Sequence, residues 1–220
     1  MGQWIDLDTP HGPLQAWRAE PAGPARGGLV VLQEIFGVNA HIRSVAERFA
    51  AAGYLALAPD LFAPVQPHIE LGYTPDDAAR GTGLRTAVGF DRAVDIAGAA
   101  AHALQIEGLR TGAVGYCWGG SLAFLCNTRH GLPAVSYYGA RTLPYLGEPP
   151  RAPMLFHFGE RDASIPPEAI DAHRAALPHA PIYLYNAGHG FNCDLRADYH
   201  ADSAELAWRR TLDFFADALK

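Results

Sequence analysis

The apolar positions of this chain fall into short unbroken runs separated by longer amphipathic stretches. Gly28-Leu29-Val30-Val31-Leu32-Gln33 is nearly continuous in apolar character, as expected of a strand covered on both faces. Tyr54-Leu55-Ala56-Leu57-Ala58 repeats the pattern and is stopped by Pro59. Residues 111–116, 134–138, 154–158 and 182–185 are further runs of this kind. Between them the period changes to that of helices. Asn39 can cap a helix running through Ala51 and closed at Gly53. Further helices are predicted over 88–104, 121–128, 167–176 and 201–219. Residues 60–84, with Pro64, Pro67 and Pro75, read as irregular, a lid or substrate loop. The pieces 3–6 and 13–18 flank a Thr9-Pro10-His11-Gly12 turn and read as an antiparallel hairpin at a sheet edge. Strand–helix alternation implies an α/β fold, a mostly parallel sheet with helices on both faces. With no internal repeat and no linker, one domain over 1–220 is expected.

Composition narrows the function. Of 220 residues, 49% are hydrophobic and 18% charged, which excludes disorder throughout. Acidic residues exceed basic ones by 23 to 17, giving a net charge of −6. A nucleic-acid partner is not expected, because phosphate contacts need a basic face. The three cysteines, Cys117, Cys126 and Cys193, form neither a disulfide framework nor a CxxC metal pair. Reduced thiols fit a reducing compartment. The start of the chain has no basic region followed by an apolar core. No run of about 18 apolar residues suggests a membrane span. A soluble cytoplasmic protein, monomeric or a weak homo-oligomer, is the expectation.

The chemistry concentrates in Gly115-Tyr116-Cys117-Trp118-Gly119-Gly120, which follows a predicted strand and opens a predicted helix. It is the G-x-S-x-G nucleophile elbow with Cys in place of Ser. Glycines flank the nucleophile because the turn is too tight for side chains. Cys117 would stand above the carboxyl end of the sheet, with a helix N-terminus behind it favouring a thiolate. A nucleophile needs a base, and the base an orienting group. Asp162, in Gly159-Glu160-Arg161-Asp162, and His189, in Gly188-His189-Gly190-Phe191, follow successive strands in the required chain order. Glu160 competes with Asp162 for the acid role. Gln33-Glu34-Ile35-Phe36-Gly37 follows the first long strand. In this fold that loop supplies an oxyanion donor, so the backbone N–H groups of Ile35 and Trp118 are the candidates. Glu34 would lie close to Cys117, where its charge disfavours the thiolate.

Together these segments, with Ala58-Pro59-Asp60-Leu61-Phe62 and Tyr137-Tyr138-Gly139, resemble the dienelactone hydrolases, or carboxymethylenebutenolidases. The resemblance runs over nearly the whole chain. It implies an α/β-hydrolase fold and a Cys117–His189–Asp162 triad. It also implies a Glu34 carboxylate that pairs with the resting thiol and moves on substrate binding. The implied reaction opens the enol-lactone of dienelactone to maleylacetate, and no metal or organic cofactor is implied. Family members hold the substrate carboxylate with two arginines. Arg80 or Arg85 could supply one. The other belongs four residues after the histidine, where this chain has Cys193; the nearest arginine downstream is Arg196. Phe36 and either Tyr137 or Tyr138 are further candidates for lining the pocket. A broad carboxylesterase or thioesterase using the same triad, and a non-catalytic redox-sensing protein, are the alternatives.

Overall fold

The computed structural model describes residues 2–220. Its strands are β1 (Gln3–Leu7), β2 (Leu14–Ala19), β3 (Gly28–Leu32), β4 (Leu55–Pro59), β5 (Thr111–Tyr116), β6 (Ala134–Tyr137), β7 (Met154–Gly159) and β8 (Ile182–Tyr185). Its helices are α1 (Ala40–Ala51), α2 (Pro75–Val88), α3 (Phe90–Ile106), α4 (Trp118–His130), α5 (Pro167–Ala176) and α6 (Ala201–Ala218). The strands make one sheet in the order β1-β2-β4-β3-β5-β6-β7-β8. The β1–β2 hairpin occupies one edge, and β2 runs antiparallel to β4. All remaining pairs are parallel. Every residue of β3, β4, β5, β6 and β7 is buried, as the unbroken apolar runs require of strands covered on both faces.

The register brings the functional ends level. Leu32 pairs with Gly115, Tyr116 with Tyr137, and Tyr137 with His157. The loops after β3, β5, β6 and β7 therefore leave the sheet side by side at its carboxyl edge, where open α/β sheets bind ligands. Asn39 caps α1 as expected: its Oδ1 accepts from Ile42 N at 3.3 Å. The same side chain donates to Tyr73 Oη at 3.1 Å, tying the helix start to the next loop.

One expectation fails. The stretch 60–84 is not irregular throughout, because α2 begins at Pro75. Thr74 and Asp77 form a reciprocal capping box, with Pro75 in the first turn. The helix predicted over 88–104 is α3, which starts two residues later: Gly89, with a φ of 76° that no helix accommodates, separates it from α2. Smaller differences are at the ends: α4 starts at Trp118 rather than 121, and β4 includes Pro59. Among the described residues no helix is long and apolar enough to cross a membrane.

Candidate active site

β5 delivers its last residue, Tyr116, into a turn so sharp that Cys117 takes φ 54° and ψ −115° before α4 begins. This left-handed φ is rare for a side chain with a Cβ and marks local strain. The turn holds only because its neighbours are glycines. A Cβ on Gly115 would strike the Gly119 carbonyl, and one on Gly119 the Leu32 and Gln33 carbonyls. Cys117 N donates to Tyr137 O at 3.0 Å, fixing the elbow to β6. Trp118, the first residue of α4, is buried and stacks on Phe62 with ring centroids 5.6 Å apart. Asp60 shapes that loop by accepting from Phe62 N at 3.0 Å and His68 N at 2.8 Å.

Cys117 Sγ lies 3.1 Å from His189 Nε2. His189 Nδ1 donates to Asp162 Oδ2 at 2.7 Å, and Asp162 Oδ1 accepts from Ser164 N at 2.8 Å. The three side chains thus meet from the ends of β5, β7 and β8. Glu160 is exposed and outside this line. Burial works against a charged His189, but the Cys117 sulfur and the Asp162 carboxylate outweigh it and lift its pKa to about 10.

Glu34 departs from the expectation. Its carboxylate is buried, but Oε1 lies 3.3 Å from Arg196 Nη1, an ion pair rather than a contact with the thiol. The Arg196 guanidinium is also 6.0 Å from the ring centres of Phe36 and Tyr73. Arg196 therefore sits beside the buried carboxylate, while Cys193, at the position where the family carries arginine, is buried 3.2 Å from Tyr73 Oη. Burial, with Glu34 nearby, raises the Cys193 thiol to about 11.

A cavity of about 180 Å3 opens over Cys117, lined by Ile35, Trp118, Arg85, Arg141, Ser164 and His189 among others. It is not the largest hollow; one of about 440 Å3 lies between Asp8 and His102. Its chemistry distinguishes it: sulfur, imidazole and two guanidinium groups face one small volume. Arg85 reaches the cavity from α2, whereas Arg80 is exposed and contacts Gln66 at 3.3 Å. Tyr137 is fully buried and points away, its hydroxyl 2.7 Å from Thr211. Phe36 packs edge-on against Tyr73 rather than lining the cavity. Tyr138, not Tyr137, is the ring beside His189, with centroids 5.2 Å apart.

Arg141 and Ser164 were missed. Arg141 follows Tyr137-Tyr138-Gly139-Ala140 at the end of β6, adjacent to β5. The available signal was positional: a charged residue just past a parallel strand belongs to the ligand edge.

An elbow bearing a nucleophile-type side chain, followed in chain order by an acid and a histidine at the carboxyl edge of a mostly parallel sheet, defines an α/β-hydrolase. The profile of the dienelactone hydrolase family matches residues 14–219. The chain belongs to that family and is an ester hydrolase. A carboxymethylenebutenolidase of Pseudomonas putida is 34% identical, covering 89% of this chain and 88% of its own. A provisionally named carboxymethylenebutenolidase of Synechocystis sp. is also 34% identical, covering 98% and 99%. The crystal structure of a provisionally assigned dienelactone hydrolase from Klebsiella pneumoniae superposes with a TM-score of 0.86 at 30% identity. It covers 99% of this chain and 98% of its own.

Proposed function

We propose that this hydrolase uses Cys117 as nucleophile to open a small, anionic enol-lactone or activated ester, of the dienelactone-to-maleylacetate type, through a thioester acyl-enzyme. The observation that carries the reading is the line Cys117–His189–Asp162, whose first two members open onto a cavity that Arg85 and Arg141 also line. His189 takes the thiol proton, and Asp162 stabilises the imidazolium so formed. The sulfur attacks the acyl carbon. The backbone N–H groups of Ile35 and Trp118 face the developing oxyanion. Collapse expels the enolate and leaves the thioester; the enolate is then protonated from His189. His189 next takes a proton from water, whose oxygen attacks the thioester, and the sulfur departs. A thiolate nucleophile suits leaving groups no more basic than itself, which selects enol esters over amides. Glu34 is engaged by Arg196, so the base role rests on His189 and Glu34 acts through its charge.

Burial pushes the Arg85 pKa down, and the like charge of neighbouring Arg141 adds to it. An anionic group on the substrate relieves that repulsion and can be gripped by both guanidinium groups. The cavity volume favours a small molecule.

The test is ultraviolet-monitored hydrolysis of cis- and trans-dienelactone by wild type, Cys117→Ala and Cys117→Ser. Turnover that falls on the order of 10⁴-fold or more in Cys117→Ala, with slight activity left in Cys117→Ser, supports the reading. Undiminished turnover in Cys117→Ala overturns the nucleophile. Turnover of short acyl nitrophenyl esters but not dienelactone moves the substrate to the broad carboxylesterase class.

A further inference from the structure

Beside the site lies a second polar cluster, of which the hydrolytic reaction uses only the charge of Glu34. Glu34 comes from the end of β3, His41 from the first turn of α1 and Cys193 from the loop after His189. One ligand-type atom from each lies within 4.8 Å of the others, and all three residues are buried. Glu34 is 1% exposed and His41 3%. Among the described residues Glu34 Oε2 and His41 Nε2 have no hydrogen-bond partner. Leaving two such atoms dry and unpaired costs free energy that the surroundings do not return. The other ring nitrogen of His41, Nδ1, lies 3.5 Å from Asp194 Oδ1. A carboxylate on that side places the ring proton there and leaves Nε2 as an open lone pair. The cluster therefore offers one oxygen, one imidazole nitrogen and one sulfur to the same small space.

We propose that Glu34, His41 and Cys193 form a binding site for a borderline-soft divalent cation, with Zn2+ as the type ligand. The donor set is the argument. A carboxylate, a neutral imidazole and a thiolate are the ligands zinc takes, at about 2.0–2.3 Å, with water completing a tetrahedron. Reaching those distances from the present spacing requires side-chain shifts of about 1 Å. Binding exchanges the Cys193 S–H bond for a zinc–sulfur bond and releases one proton to solvent, with no change of oxidation state. Arg196, which now holds Glu34 Oε1, has another anion available, since Asp198 Oδ2 lies 3.9 Å from its Nη2. Access runs past Tyr73. Its hydroxyl touches Cys193 Sγ, and its ring helps line a surface hollow of about 300 Å3 shared with Asn39 and Leu195.

The experiment equilibrates the whole chain with Zn2+ and measures bound metal against a chromophoric chelator. It is repeated with Co2+ to read the thiolate-to-cobalt absorption. Wild type, Cys117→Ser, Cys193→Ser and His41→Gln are compared, each checked for folding by circular dichroism. The expected result is one equivalent bound by wild type and by Cys117→Ser, with the cobalt–thiolate band in both. The band should vanish in Cys193→Ser, and zinc affinity should fall by at least about tenfold in Cys193→Ser and His41→Gln. Binding that disappears in Cys117→Ser but survives in Cys193→Ser would place the ion on the Cys117–His189 pair and overturn the proposal. So would stoichiometric binding indifferent to His41→Gln, which would point to surface histidines, or no binding by the wild type. Should Cys193→Ser fail to fold, His41→Gln with the Cys117→Ser background decides the matter alone.

Discussion

At the scale of single residues, the charge on His189 sets a dependence that can be measured without any substrate. Its pKa is about 10 in the folded chain against 6.5 ordinarily. A group whose folded value is raised stabilises the fold fully below its unfolded value and loses that contribution as pH rises through the folded one. Thermal unfolding followed from pH 6.5 to 10 should therefore show wild type losing stability more steeply than His189→Gln. Parallel slopes would mean that the Asp162 and Cys117 contacts do not hold the proton. The same scale shows what one sequence can reveal. Cys117, Asp162 and His189 were legible because an elbow and a chain order constrain them. The partner of Glu34 was not. The resemblance paired its carboxylate with the resting thiol, yet Arg196 holds it, because the loop after His189 folds back on itself. Cys193 N donates to Gly190 O at 2.9 Å, and Arg196 N to Cys193 O at 3.1 Å. Side-chain reach in a folded-back loop has no signature in residue spacing.

At the scale of elements, α2 is the wall that sequence periodicity could not find. It buries only Gly81, Leu84 and Val88, so it lacks the apolar stripe that marks most helices. Its caps were the readable signal: Thr74-Pro75-Asp76-Asp77 is a helix start in local chemistry alone. The strands were legible because burial on both faces leaves short, unbroken apolar runs. Gly81 is where α2 meets the site. A Cβ there would strike the Ile35 carbonyl, whose residue also contributes a candidate oxyanion donor. Gly81→Ala should therefore displace Ile35 and lower kcat/KM by roughly tenfold to a hundredfold. Because α2 is peripheral, the melting temperature should move by no more than a few degrees. Unchanged kinetics in the folded variant would remove Ile35 from the oxyanion role.

The whole molecule carries a net charge of −6, yet the cavity wall presents Arg85 and Arg141. The two fields oppose each other for an anionic substrate. Within the cavity the guanidinium groups act at contact range, while the diffuse negative field is screened over about 8 Å at physiological ionic strength. Added salt should then lower kcat/KM in the wild type, because it weakens the attraction that guides the anion in. In the Arg85→Gln, Arg141→Gln double variant only repulsion remains, and added salt should raise kcat/KM from its reduced level. The same sign of salt response in both proteins would show that the substrate does not meet these arginines as an anion.

The kink at Gly89 separates the helix that carries Arg85 from α3, which lies against the sheet. The scaffold helix and the helix that lines the cavity thus meet at one glycine rather than forming a shared rigid rod. Evolution, or a designer, can exchange the residues of 75–88 that face the cavity and retune which molecules enter, and so long as Gly81 is kept the strands, the elbow and Ile35 keep their places.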